Sequence, residues 1–210
     1  SPLPTLSLIG RVGYLRLPIF DVSGEVANTL HTLLRNQKNL PQSLIVDVRD
    51  NPGGLATETV GAVGAFLEKS GFVLETRDGT SDNVVQKGVV QLNGVRLNVV
   101  RQPFMYTGKM VVLVNKNSYS GAEYFAQLLQ DQKRATVLGE VSGGLGNTAT
   151  IPFPLLDGSA IFITVSKSLR LTGDYLPARV IPDVLVSDDL ELQSMTGKDA
   201  VLEKAIELLR

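Results

Sequence analysis

One local pattern occurs twice in this sequence and limits what the chain can fold into. A short run of apolar residues leads into a glycine-marked turn, and an amphipathic helix starts at once. In the first copy, Ser43 to Val48 (SLIVDV) has strand length and the composition of a strand buried on both faces. Arg49-Asp50-Asn51-Pro52-Gly53-Gly54 is a turn by every local signal. Leu55, Thr59, Ala62, Val63 and Phe66 then recur with helical spacing, closed by Gly71. In the second copy, Val111 to Val114 runs into a polar turn that ends in Ser120-Gly121. Ala122, Phe125, Ala126 and Leu129 follow at i, i+3, i+4 and i+7. Strands separated by helices pair in parallel through right-handed crossovers. The pattern therefore implies βαβ units and an α/β domain.

The remaining segments fit that frame. Arg11 to Phe20 reads as a strand, Asp21 or Ser23 as a helix cap, and Val26, Leu30, Leu33 and Leu34 as a helix that stops before Asn39-Leu40-Pro41. Phe72 to Gln102 is β-rich, with Asn93-Gly94 as a hairpin turn. Ala135 to Val141 reads as a further strand. Thr148 to Leu156 and Ser159 to Val165 flank Asp157-Gly158 as a second hairpin, and a helix is expected from about Asp199 to Leu209. There is no internal repeat and no low-complexity linker. Residues 1–210 read as one domain, α/β with inserted β-hairpins.

Composition removes several kinds of chemistry. The 210 residues are 43 % hydrophobic and 20 % charged, with a formal net charge of −1, which argues against a nucleic-acid surface. No apolar run is long enough to span a bilayer. With no cysteine, disulfides and thiolate catalysis are excluded; with one histidine, so is a multi-histidine metal site. Neither a metal nor a cofactor is expected. Any general base must be His31, a lysine or a carboxylate.

Two places carry candidate chemistry. Gly53 and Gly54 end a buried strand and open a helix, so backbone N–H groups there can hold an anion or an oxyanion. A tight turn needing positive φ explains them equally well. Ser120 begins Ser-Gly-Ala-Glu123, which fits a capping box. It also stands where a nucleophile would project from the C-terminal edge of a parallel sheet, beside the Gly121 N–H. Asp47, Arg49 and Asp50 read as ion pairs and turn hydrogen bonds that shape the Gly-Gly loop. Asp188-Asp189 reads as a solvated charge run.

Four segments in order carry a resemblance: Gly13-Tyr14-Leu15-Arg16-Leu17 leading to Phe20, Leu44 to Gly54, Asn117 to Glu123 with Arg134 to Glu140 after it, and Pro182-Asp183. Together they resemble the tail-specific, or C-terminal processing, serine proteases, whose superfamily includes the tricorn protease core and the interphotoreceptor retinoid-binding protein. The resemblance implies a crotonase/ClpP-like protease core, with Ser120 as nucleophile. Gly121 and the Gly53-Gly54 turn would be oxyanion donors, and an extended polypeptide the substrate. It also implies a PDZ or other domain outside this chain, since none is seen within it, possible oligomers, and a periplasmic or other extracytoplasmic location.

The resemblance breaks at the base. Where the processing proteases carry lysine, this chain has Leu145 in Gly143-Gly144-Leu145-Gly146. Where the tricorn branch carries histidine, it has Arg16. Lys167, His31 and Lys116 are the replacement candidates, with Lys167 first. Three readings follow: a serine endopeptidase acting through an acyl-enzyme on Ser120, a catalytically impaired relative that binds a peptide or apolar ligand, or a scaffold within a larger protease assembly, which no specific residue favours.

Overall fold

The computed structural model describes residues 2–21, 24–187 and 189–210. In chain order the elements are β1 (Thr5–Ile9), β2 (Val12–Arg16), α1 (Val26–Arg35), β3 (Ser43–Asp47), α2 (Ala56–Val63) and β4 (Lys69–Thr76). β5 (Gly79–Gln86), β6 (Val89–Leu92), β7 (Val95–Leu97), β8 (Lys109–Val114), α3 (Gly121–Asp131) and β9 (Thr136–Gly139) come next. β10 (Thr148–Pro154), β11 (Ala160–Arg170), β12 (Val184–Leu185), α4 (Leu190–Thr196) and α5 (Ala200–Leu209) complete the chain.

The apolar runs form the centre of the first sheet, ordered β1-β2-β3-β8-β9-β12. All its pairings are parallel except that of β1 with β2. β3 is buried at all five positions because both faces are covered. Leu44, Val46, Val112 and Val114 pack with Leu30 and Leu34 of α1, Val60 and Val63 of α2, and Phe125 and Leu129 of α3. The alternate residues Ile45, Val111 and Leu113 face Val201, Ala205 and Leu209 of α5. Each fully buried aliphatic side chain contributes about 1.5–3 kcal/mol, so the two sides of one strand fix both helical layers.

The inserted hairpins assemble into a second, antiparallel sheet, β10-β11-β4-β5-β6-β7. Asn93 and Gly94 both take positive φ (50° and 77°) in the β6–β7 turn, as the Asn-Gly signal requires. Phe72 of β4 stacks on Tyr124 of α3 with ring centroids 4.3 Å apart, joining this sheet to the helical layer.

Several boundaries differ from the sequence reading. β1 and β12 are additional edge strands, too short and too local in pattern to stand out. α2 ends at Val63, and Gly71 lies inside β4 rather than closing a helix. The N-cap of α1 is Glu25, with no side-chain cap bond. The missing acceptor comes from α2: buried Glu58 takes the Ala27 N–H at 2.7 Å. Of the expected caps, Asp21 is not the N-cap and Ser23 lies outside the described residues, as does Asp188.

Candidate functional site

Register places the C-terminal ends of β3 and β8 side by side, Asp47 opposite Leu113. The turns that leave them are then tied together by short polar side chains. Ser118 Oγ donates to the Val48 carbonyl (2.8 Å) and accepts the Asn115 N–H (3.0 Å). Asp50 Oδ1 accepts from the side-chain amides of Asn115 and Asn117 at 3.0 and 2.9 Å. The Tyr119 N–H donates to the Asn51 carbonyl at 2.9 Å. These bonds bring the Gly53-Gly54 turn against Ser120, although the two lie far apart in sequence.

Ser120 takes φ 49° and ψ −113°, a region L-residues avoid at a cost of about 1–3 kcal/mol. The strain turns the residue sharply from strand direction into α3. Gly53 is needed opposite it: a Cβ there would lie 2.7 Å from both Ser120 Cβ and the Gly121 nitrogen. The two glycines of the turn differ in their donors. The Gly53 N–H is held by Asn51 Oδ1 at 2.8 Å. Gly54 forms a parallel bridge with Phe20 through the neighbouring Gly53 carbonyl and Leu55 N–H, so its own N–H is left over. Among the described residues, no intramolecular acceptor is recorded for the N–H of Gly54 or of Gly121. Of the expected oxyanion donors, Gly54 and Gly121 retain a free N–H and Gly53 does not.

The loop that carries Leu145 is clamped to the start of α3 by Glu123. This fully buried carboxylate accepts the Ser120 N–H and the Leu145 N–H at one oxygen, both at 2.8 Å. The other oxygen accepts the Gly144 N–H (2.9 Å) and the Ser142 hydroxyl. Serine and glutamate form the expected capping box, but the glutamate also positions a second loop. The Ser-x-x-Glu spacing named this residue; its loop partners were invisible because they lie 19 to 22 residues away. Glu123→Ala strands four donors, so it is expected to cost about 2–4 kcal/mol in urea unfolding. An unchanged midpoint would show that Glu123 does not clamp the loop.

Two of the replacement bases are committed to other partners. His31 is buried with both ring nitrogens engaged: Nδ1 accepts the Phe104 N–H at 2.9 Å, so Nε2 carries the proton and donates to the Gly61 carbonyl at 3.0 Å. Lys167 sits between Ser166 and Ser168, both buried, with Ser168 bonded to Tyr124 of α3. Strand alternation therefore turns Lys167 away from α3, and its ammonium lies 5.3 Å from the Tyr175 ring centroid. Lys116 is exposed on the turn before Ser120. Arg16 pairs with Asp47 at 3.0 Å. Among the described residues, neither Lys167 nor His31 makes a hydrogen bond to Ser120.

Burial lowers the pKa of His31. The unfolded chain then takes up a proton near pH 6.5 that the folded chain refuses, so stability falls as pH drops below that value. Between pH 7.5 and 5.5 the native chain is expected to lose more stability than His31→Gln. Equal losses in urea titrations would show that the ring is not held neutral.

Asp47, Arg49 and Asp50 form the expected network, with one added partner. Arg49 bonds Asp47 within its own turn and reaches Asp199 at 2.7 Å. Asp199 is also the N-cap of α5, accepting the Leu202 N–H. Burial opposes ionisation of Asp199, but the bonds from Arg49 and Leu202 outweigh it and lower its pKa. The α5 layer is thereby fastened to the turn that carries Gly53 and Gly54.

A parallel sheet with a strained serine at one strand-to-helix turn, facing a glycine turn from the next strand, is the layout of α/β proteins that perform acyl transfer on serine. The profile of Peptidase family S41 matches residues 11–186, and the chain belongs to that family. It is 34 % identical over 183 residues to a carboxyl-terminal-processing protease of Synechocystis, covering 85 % of this chain and 39 % of that one. It is 31 % identical over 163 residues to the chloroplastic carboxyl-terminal-processing peptidase 3 of Arabidopsis thaliana, covering 77 % and 28 %. This chain thus spans less than half the length of either relative. Among solved structures it is similar to the photosystem II D1 C-terminal processing protease, with TM-score 0.62, 25 % identity and coverage of 90 % and 47 %. The tricorn protease shares the fold, with TM-score 0.59, 23 % identity and coverage of 95 % and 18 %.

Proposed function

We propose that this chain is the core of a serine endopeptidase of the tail-specific type, cleaving extended or unfolded polypeptides. Ser120 Oγ attacks the scissile carbonyl and loses its proton, the N–H groups of Gly54 and Gly121 take the developing oxyanion, and collapse breaks the C–N bond, so the acyl group stays on Ser120 and the amine leaves with a proton. The observation that carries this reading is the strained backbone of Ser120 set against Gly53, a geometry that helix capping alone does not require. Family membership and the names of its relatives support it. A peptide-binding domain outside these residues, and action outside the cytoplasm, go with the same reading.

One observation favours a second reading. Leu145 occupies the place of the lysine base, the ring nitrogens of His31 are both engaged, and Lys167 is turned away from α3. A site that keeps its serine and its free N–H groups without a base would bind a peptide or apolar ligand and release it unchanged. Incubation with reduced casein separates the two. Serine-dependent fragments support the peptidase; intact casein retained by the protein supports the binding module.

A further inference from the structure

The end of the first sheet opposite Ser120 holds a cavity of about 750 Å³, a volume typical of small-molecule sites. It lies under the N-terminal ends of β3 and β8, between the β1–β2 turn and the end of α5. The six residues of β8 put about 20 Å between it and the serine turn. Its charged side chains are Arg11, Lys109 and Arg210, with no acid among them. In a chain with 20 basic and 21 acidic residues this is a local separation of charge. Among the described residues no ion pair is recorded for any of the three.

Apolar side chains line the same cavity. Leu8 and Leu40 line the cavity and are 63 % and 38 % exposed, while Leu209 is buried at its edge. A second cavity, about 450 Å³, shares Lys109 and Leu209 and adds Lys133 and Arg134. Its one acid, Asp183, is occupied by the Val137 N–H and the Gln130 amide. Arg210 also answers the negative end of the α5 dipole, so the weight falls on Arg11 and Lys109, which no helix end explains.

We propose that this cavity binds a single-chain amphiphile with an acidic head, the head held by Arg11 and Lys109 and the apolar chain laid along Leu8 and Leu40. Arg11 and Lys109 are exposed beside exposed leucines, so they offer a ligand both a counter-charge and apolar surface. The site is separate from Ser120 and does not depend on the peptidase reading.

Calorimetric titration of the whole chain with dodecanoate, below its micellar concentration, tests this. One dodecanoate per chain is expected, with decanol and acetate each binding at least tenfold more weakly. Arg11→Gln combined with Lys109→Gln should weaken dodecanoate at least tenfold, leaving the thermal midpoint and any casein cleavage unchanged. Leu40→Asp should weaken it independently. Three results would overturn the proposal: equal binding of decanol, equal binding by the double variant, or no binding of free dodecanoate. In the last case, co-sedimentation with phosphatidylglycerol vesicles would mark a membrane surface, and retention on an acidic peptide a protein-binding one.

Discussion

Ser120→Ala is expected to abolish cleavage of reduced casein, by roughly 10³-fold or more, because no acyl-enzyme can form. The stability change should be far smaller. Alanine loses the cap hydroxyl, at about 1 kcal/mol, and must accept the same positive φ that serine already bears. A chain that stays folded cannot lose three orders of magnitude through that change, so the two magnitudes separate nucleophile from helix cap. A fluorophosphonate probe should add its mass to Ser120 in the native chain and to nothing in the variant. Loss of a degree or two in thermal midpoint, with casein cleavage untouched, would leave Ser120 as a cap.

Leu145→Lys is expected to act in the opposite direction. The Leu145 and Ser120 nitrogens each lie 2.8 Å from the same Glu123 oxygen. A lysine there would start from a loop already fixed beside the serine. General-base assistance contributes typically 10² to 10⁴-fold, so casein cleavage should rise by about 10²-fold or more. The gain should follow a single titration, since one ammonium must lose its proton before it can act as base. Leu145 is 43 % exposed, so the substitution should cost little stability. A folded Leu145→Lys with no gain would mean that the loop does not deliver this side chain to Ser120. A native chain already as fast as the variant would mean that another group takes the proton.

The part of this protein legible in the sequence is its local grammar. Ser43 to Val48 and Val111 to Val114 announced buried parallel strands because residues covered on both faces are apolar throughout. Asn93-Gly94 announced its hairpin because that turn needs two positive φ angles. Ser120 to Glu123 announced a capping box because its two partners are three residues apart. Each of these signals is carried by neighbours along the chain, where backbone sterics and short-range hydrogen bonds act.

What the sequence could not supply was set by contacts between distant segments. It marked Gly53 and Gly54 alike; only the Asn51 side chain, which takes one N–H, left Gly54 as the remaining donor. It offered Lys167 from its place in the family pattern, and His31 and Lys116 beside it, as bases. The alternation of β11 turned the lysine away from α3, and two backbone partners closed the histidine ring. It gave Glu123 one hydrogen bond and the fold gave it three more. Strand pattern and helix caps are decided within a few residues of chain. The direction of a side chain, and which donor is left without a partner, depend on what the fold packs around them, and there only the tertiary structure decided.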